Sequence, residues 1–211
     1  MKMLSKNKPT VFVVDDDQAM RDSLRWLIES VGIVVETYAN AEEFLHSLDA
    51  SKPGCLLTDV RMPGLSGLEL QDVLAERKIK LPVIIITGHA DVPMAIRAMK
   101  KGAIEFIEKP FNNEILLERI RQGIEKDSQI RRTTADREEI AARLALLSAR
   151  EQAVMQKIID GKPNKVVAEE LGLSQKTIEV HRASVMKKMR ADSVAELVRL
   201  ALALHQDQGK P

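Results

Sequence analysis

The stretch Cys55-Leu56-Leu57-Thr58-Asp59 decides the fold of this chain, and Val60-Arg61-Met62-Pro63-Gly64 follows it directly. A short apolar run flanked by turn residues is typical of a buried strand. This run ends in a carboxylate, Asp59. Because ligands of open parallel sheets bind beside the carboxyl ends of the strands, the sequence predicts that Asp59 lies where a ligand can reach it.

A second apolar run carries carboxylates at the same end. Val11-Phe12-Val13-Val14 is followed by Asp15, Asp16 and Asp17. Several such charges around one crevice repel one another unless a hard cation lies among them or some stay protonated. One interpretation is a Mg²⁺ site beside a nucleophilic Asp59; the simpler one is that the aspartates only cap the following helices. Asp17 is left out of the ligand set because it can cap the first helix.

Strands and helices alternate five times along the first half of the chain. The predicted strands are 11–14, 33–38, 55–59, 82–87 and 104–108. The predicted helices after them are 20–31, a short one capped by Asn40, 68–77, 92–101 and 112–123. This alternation predicts an α/β fold with a doubly wound, five-stranded parallel sheet.

Two further strands end in groups that suit phosphoryl chemistry. Thr87 ends the fourth strand and Lys109 follows the fifth. If a phosphoryl group is transferred to Asp59, the carboxylate is the nucleophile and forms an acyl phosphate. Mg²⁺ and Lys109 then offset negative charge, and Thr87 offers a hydroxyl donor. Singly, each residue is more often structural, so only their joint placement favours the functional interpretation.

These positions resemble the receiver domain of two-component response regulators. The matching segments are Val14-Asp15-Asp16, Thr58-Asp59-Val60-Arg61-Met62-Pro63-Gly64, Ile86-Thr87-Gly88 and Glu108-Lys109-Pro110-Phe111. The resemblance implies a receiver over residues 8–124, with the flavodoxin-like strand order 2-1-3-4-5. It also implies that Asp59 accepts phosphate from a sensor histidine kinase. Mg²⁺ would be held by Asp15, Asp16, Asp59 and the backbone carbonyl of Arg61.

The same resemblance implies a switch and a way of pairing. Thr87 would move to meet the phosphoryl group, and Phe106 would turn inward behind it. The Lys109-Pro110 peptide bond would be cis, which is rare outside X-Pro bonds. Such receivers pair through the fourth helix and fifth strand, here about 92–108.

A charged segment without Gly or Pro separates the two halves of the chain. We predict a helical linker over 125–145, with helix favoured from about Asp136 and the weakest point at Thr133-Thr134. A flexible tether is the alternative, and the preceding helix is expected to end at Gly123.

The second half contains four predicted helices. Ser148 and Glu151 form a capping box before the helix 149–160. Helices follow at 164–171 and 175–189, joined through Gly172-Leu173, and a last one starts at 192–193. Two helices joined by a short glycine-containing turn predict a helix-turn-helix within an all-α four-helix domain.

The helix 175–189 has two different faces. Ile178, Val185 and Met189 fall on one stripe, which we expect to be core. Lys176, Val180, Ala183 and Lys187 fall roughly opposite and suit a major groove, where lysines meet phosphates or base edges and small apolar groups meet thymine methyls. A basic, merely solvated face is the alternative.

Residues 146–205 resemble the LuxR-type DNA-binding domain. The matching segments are Leu147-Ser148-Ala149-Arg150-Glu151, Gly161-Lys162-Pro163-Asn164-Lys165, Leu173-Ser174 and Thr177-Ile178-Glu179-Val180-His181-Arg182. With the receiver, the chain is most similar to FixJ-type response regulators. The resemblance implies DNA contacts from Lys176, Thr177, Val180, His181 and Lys187, and backbone contacts from Asn164, Lys165 and Ser174. Glu179 would accept from a cytosine amino group or pair with Arg182 or a neighbour, and His181 has a structural alternative.

The sequence therefore predicts a phosphorylation-dependent transcription regulator. Its expected partners are a sensor histidine kinase, operator DNA, RNA polymerase for activation, and a second copy on phosphorylation. One alternative is a Mg²⁺-dependent aspartyl phosphotransferase or phosphatase, although no second acid follows Asp59 at two residues. The other is a pure interaction module that binds protein or RNA.

Composition agrees with a cytoplasmic protein. The chain has 211 residues, a net charge of +1 and one cysteine, Cys55, which excludes an intramolecular disulfide. No run approaches the roughly 18 apolar residues of a membrane span. We therefore expect no membrane partner, and the two resemblances imply that the protein is not an enzyme.

Overall fold

The structure is a computed structural model that describes residues 8–89 and 91–205. The chain separates into two compact units between Arg131 and Arg132. The predicted functional boundaries at 124, 145 and 205 stay a prediction. Among the described residues, no helix is both long enough and apolar enough to cross a membrane.

The first unit alternates strands and helices in the predicted order. Its strands are β1 Thr10–Val14, β2 Val34–Tyr38, β3 Gly54–Asp59, β4 Val83–Thr87 and β5 Glu105–Glu108. The helices are α1 Gln18–Glu29, α2 Ala41–Ser47, α3 Gly67–Glu76 and α4 Val92–Lys100, and α5 Asn113–Ala145 begins in this unit and ends in the second. The strands pair in parallel in the order β2-β1-β3-β4-β5, which confirms the predicted doubly wound sheet.

Alternate residues of the sheet build two apolar layers. Val11, Val13 and Leu57 pack with α1 and with the start of α5. Phe12, Leu56 and the other half of the sheet pack with α2, α3 and α4. Because β1, β3 and β4 are buried on both faces, their reactive groups are accessible only at the strand ends.

The predicted end of α5 at Gly123 is wrong, since the helix continues to Ala145. Gly123 does not end the helix; it allows close packing, because a Cβ there would lie 3.0 Å from Cβ of Cys55 and 3.2 Å from Cδ1 of Ile104. The start agrees within a residue, with Oδ1 of Asn112 accepting from the backbone N–H groups of Glu114 and Ile115. The other predicted elements agree with the structure to within two residues.

The second unit contains the four predicted helices, α6 Ala149–Ile159, α7 Asn164–Leu171, α8 Gln175–Met189 and α9 Val194–His205. Val154, Val185 and Leu197 are fully buried in its core. Both bonds of the predicted capping box at Ser148 and Glu151 are present. Gly172 takes the left-handed conformation, with φ 65°, that closes α7 before the turn into α8.

Candidate functional site

Three carboxylates meet at the carboxyl edge of the sheet. Asp15 and Asp16 follow β1, and Asp59 ends β3. One carboxylate oxygen from each lies within 4.8 Å of the others. Asp15 and Asp59 are buried, whereas Asp16 is exposed. The cluster therefore has one side open to solvent, from which a ligand can enter.

Lys109 joins two of these carboxylates. Its Nζ lies 2.8 Å from Oδ2 of Asp15 and 2.8 Å from Oδ2 of Asp59. Burial raises the pKa of Asp15 above its usual value, and the hydrogen bond from Lys109 offsets part of this shift. Burial also acts to lower the pKa of Lys109, but the bonds to Asp15 and Asp59 outweigh it, so that the pKa rises and the ammonium is kept. The Lys109-Pro110 bond is cis, as predicted.

The backbone around Asp59 is tightly constrained. The N–H of Arg61 donates to Oδ1 of Asp59 at 3.3 Å. Gly67, at the start of α3, packs on the carbonyl of Asp59 so closely that a Cβ would lie 2.1 Å from that oxygen. Only glycine fits there without moving the end of β3. The helix predicted at 68–77 starts one residue after Gly67, and the sequence did not predict this role.

Thr87 and Phe106 lie where the sequence predicted them. Thr87 is fully buried at the end of β4, and its hydroxyl accepts from the backbone N–H of His89 at 3.3 Å. Phe106 in β5 is half-buried and packs against the core under α4. The movement of these two side chains on phosphorylation stays a prediction.

The oxygen-only donor set suits a hard divalent cation such as Mg²⁺. Three carboxylates converge, and one of them has a pKa raised by burial, which a cation at the site would counteract. Asp17, the third aspartate of the run, caps α1 instead by accepting from the backbone N–H groups of Ala19 and Met20. Its exclusion from the ligand set is consistent with this geometry.

Arg21 is a second contributor that the sequence analysis missed. Its Nη1 donates to the backbone carbonyl of Asp15 at 2.6 Å, and the residue is only 8% exposed. It lies on the same stripe of α1 as Leu24 and Ile28, both buried. The sequence signal for this role was a charged residue, Arg21, at a helical position otherwise occupied by buried apolar residues. Arg21 therefore fixes the backbone from which Asp15 and Asp16 project.

The second unit presents the predicted face of α8. Ile178, Val185 and Met189 are buried, as expected. Lys176, Val180, Ala183 and Lys187 are all exposed. The side chain of Lys176 is 86% exposed, and Val180 is 61% exposed. The structure thus has a continuous exposed face of two cations around small apolar groups.

The other predicted interface residues have more than one role. Ser174 caps α8 by accepting from the N–H of Thr177 at 3.1 Å. Asn164 accepts from Arg182 at 3.3 Å, whereas Lys165 is exposed and His181 half-buried. Glu179 lies 3.8 Å from Lys176, so that its neighbour in the structure is this lysine and not Arg182.

Known proteins match both halves of the chain. The family model of the response regulator receiver domain matches residues 11–121, and the model of the bacterial regulatory proteins of the luxR family matches 145–201. The transcriptional regulatory protein FixJ of Bradyrhizobium diazoefficiens is 46% identical, with 92% of this chain and 95% of FixJ covered. The response regulator protein TmoT of Ectopseudomonas mendocina is 41% identical, with 93% and 90% covered.

Solved structures lead to the same family. The response regulator StyR matches with a TM-score of 0.84 at 44% identity, covering 92% of this chain and 98% of that one. Full-length FixJ from B. japonicum matches with a TM-score of 0.58 at 45% identity, covering 95% and 99%. The chain therefore belongs to the two-component response regulators, as a transcription regulator that combines a receiver domain with a LuxR-type DNA-binding domain.

Proposed function

We propose that phosphorylation of Asp59 by a sensor histidine kinase controls binding of this regulator to operator DNA. The observation that carries the proposal is the convergence of Asp15, Asp16 and Asp59, with Lys109 bonded to two of them. A carboxylate at a strand end, next to a fixed cation and two further carboxylates, suits a nucleophile that must accept a phosphoryl group.

In the proposed transfer, an oxygen of Asp59 attacks the phosphorus of a phosphohistidine. The P–N bond breaks, and its electron pair returns to the imidazole nitrogen. The new phosphoryl oxygens bring negative charge next to Lys109, which can exchange its bond to Asp59 for one to phosphate. The hydroxyl of Thr87 is the neutral donor on the β4 side. Mg²⁺, held by Asp15, Asp16, Asp59 and the carbonyl of Arg61, would offset the charge shared between carboxylate and phosphoryl oxygens.

Pairing of phosphorylated chains through α4 and β5 is supported by an apolar stripe on α4. Val92 is 71% exposed, Ile96 49% and Met99 46%, and their spacing of four and three residues places them on one helix face. Exposed apolar residues in one stripe favour association with a complementary surface. A twofold pair would use this stripe from both copies.

Operator binding is supported by the exposed face of α8. Two paired helix-turn-helix domains would engage two half-sites, with Lys176, Thr177, Val180, His181 and Lys187 toward the groove and Asn164, Lys165 and Ser174 toward the backbone. Pairing doubles the number of phosphate contacts. The DNA-binding constant then falls more steeply with salt concentration, and the bound fraction rises more steeply with protein concentration. We propose activation of transcription through contact with RNA polymerase as the outcome.

The test is the mass of the full chain in solution, with Mg²⁺, before and after addition of beryllofluoride. We expect a monomer that becomes a dimer, and Asp59→Asn that stays a monomer. A variant Asp59→Asn that responds like wild type contradicts the phosphoacceptor assignment. If the wild-type chain is modified at Asp59 but stays monomeric, the assignment of Asp59 as the acceptor stands. The proposed coupling of phosphorylation to dimerisation is then contradicted.

A further inference from the structure

An open cavity of about 460 Å³ lies at the amino edge of the sheet, opposite the end that carries Asp59. It belongs entirely to the first unit. The residues around it come from the end of α3, the start of β4, the turn after α4 and one side of α5. Three of the apolar side chains, Leu74, Leu81 and Val83, are buried parts of the core. The cavity therefore has a rigid apolar floor.

The rim of this cavity is cationic. Lys78, Lys80, Lys101 and Lys126 line it, and no acidic residue of the described part of the chain does. Lys101 is paired with Asp72 outside the lining. Lys78 and Lys126 take part in none of the ion pairs found within residues 8–89 and 91–205. Two uncompensated cations over an apolar floor attract an anion that has an apolar body.

A buried polar atom at the same place lacks a partner. Gln71 lines the cavity and is 4% exposed. Its Nε2 donates to the carbonyl of Ala98 at 3.2 Å, which leaves Oε1 as the free acceptor. Oε1 makes no hydrogen bond within the described part of the chain. Buried acceptors are nearly always paired, and Oε1 has less than 1 Å² of accessible surface, so a ligand that donates a hydrogen bond can reach it only once the amide of Gln71 turns toward the cavity.

The backbone holds Lys78 at the rim in an unusual conformation. It follows α3 with φ 57°, in the left-handed region that favours glycine or asparagine at this position. The N–H of Ile79 bonds to the carbonyl of Leu74 at 2.9 Å and closes the helix end around it. This conformation fixes the backbone of Lys78 at the rim, and its charge also suits the C-terminal end of α3.

We propose that this cavity binds a small amphipathic anion, with an aromatic or short aliphatic body, one carboxylate, sulfonate or phosphate group, and one hydroxyl or N–H donor. The body contacts the floor, the anionic group lies between Lys78 and Lys126, and the donor meets Oε1 of Gln71 after the amide turns toward the cavity. The site is independent of Asp59 and of the proposed function.

The probe is 1-anilinonaphthalene-8-sulfonate, which has an aromatic body, an N–H group and a sulfonate. N-phenyl-1-naphthylamine is its neutral counterpart without the sulfonate. Both are titrated by fluorescence into the full chain. The variants are Lys78→Asn combined with Lys126→Gln, and Gln71→Leu. Lys100→Gln, an exposed lysine next to Lys101 that is not among the lining residues, is the matched control.

We expect the double variant to raise the Kd of the sulfonate at least threefold and to leave the Kd of the neutral probe unchanged, because only the sulfonate needs the lysines. Gln71→Leu should weaken both probes, since both donate an N–H. The carbonyl of Ala98 keeps the N–H of Lys101 and of Ala103 as partners in that variant. Lys78→Asn alone should keep or raise the melting temperature, because asparagine suits φ 57°.

Three results overturn the proposal. One is a double variant that binds the sulfonate within threefold of wild type. Another is an equal loss for both probes in the double lysine variant, which indicates damage to the floor and not loss of charge recognition. The third is a wild-type chain that binds the neutral probe as tightly as the sulfonate at low salt, where the lysines act most strongly.

Discussion

The carboxylate of Asp127 accepts a hydrogen bond from the backbone N–H of Gly54 at 2.9 Å, across 73 residues of sequence. The same oxygen accepts from Nε of Arg131 at 2.7 Å. Arg131 also donates to the carbonyls of Ala50, Ser51 and Lys52. Asp127 is 1% exposed. This side of α5, beyond Gly123, is therefore attached to the loop that precedes β3.

We expect Asp127→Ala to lower the free energy of unfolding of the first unit by about 2–3 kcal/mol, because it leaves the N–H of Gly54 buried without an acceptor and removes the partner of Arg131. Amide hydrogen exchange should accelerate in both 50–54 and 124–131. Glu125→Ala, an exposed position on the same helix, should change neither. Faster exchange in only one of the two segments would contradict a direct link between them.

This attachment also explains the limit of the sequence analysis at α5. The pattern of apolar residues thins after Gly123, and glycine usually ends a helix, so the sequence predicts an end there. The helix is continued instead by long-range contacts of Asp127 and Arg131, which leave no periodic signal. By contrast, the strand ends at Asp15, Asp59 and Thr87 were predictable, because buried strands and terminal polar groups are local patterns.

The same distinction holds within the site. The sequence identifies the candidate reactive groups, because a carboxylate, a hydroxyl and an ammonium group at strand ends are recognisable from residue type and position alone. It does not identify Gly67, because the reason for glycine is the carbonyl of Asp59 lying against it in space. Arg21 is intermediate: the periodicity of α1 places it among buried residues, but only the structure shows its bond to the carbonyl of Asp15.

Gly67→Ala should impair phosphorylation more than it impairs folding. A Cβ there would lie 2.1 Å from the carbonyl oxygen of Asp59, so the end of β3 or the start of α3 must shift. We expect a loss of stability of about 1–3 kcal/mol and a fall of tenfold or more in the rate of labelling by acetyl phosphate. Gly88→Ala is the control, since a Cβ at Gly88 meets no atom within 4 Å. Equal rates for the two variants would contradict the positioning role.

Glu151 should titrate at unusually low pH. Hydrogen bonds from Lys188, from Ser184 and from the N–H of Ser148 lower its pKa from 4.5 to about 2. Because the folded pKa lies below the unfolded one, Glu151 stabilises the second unit above pH 4.5, and this contribution is lost as the pH falls toward 2. Carbon-13 NMR of the carboxyl group measures the midpoint directly.

Lys188→Met is the informative variant for this titration. It removes the first of the three donors, the ammonium 2.7 Å from Oε2 of Glu151. We expect the midpoint of Glu151 to rise by about one pH unit or more toward 4.5, since a charged partner commonly shifts a carboxyl pKa by that amount. A midpoint that stays near 2 would assign the shift to Ser184 and the cap, and not to the lysine.

Lys176→Gln and Lys187→Gln should each reduce the salt dependence of DNA binding. If each lysine contacts one phosphate, the slope of log K against log salt concentration falls by about 0.9 per subunit for each change. A duplex of random sequence at low salt suffices, because phosphate contacts do not depend on sequence. Arg199→Gln in α9, whose side chain is 78% exposed, is the matched control and should leave the slope unchanged. A slope reduced equally by Arg199→Gln would contradict the assignment of the interface to α8.

Ile96→Glu should separate phosphorylation from pairing. Ile96 lies in the middle of the exposed stripe of α4, between Val92 and Met99, so a charge there meets its own copy across a twofold pair and must be desolvated. We expect labelling of Asp59 at the wild-type rate, with a monomer by light scattering after beryllofluoride. Trp26→Glu removes a still more exposed apolar side chain, 76% exposed on α1, and should pair like wild type. If Trp26→Glu blocks pairing and Ile96→Glu does not, the copies associate through α1 and not through α4 and β5.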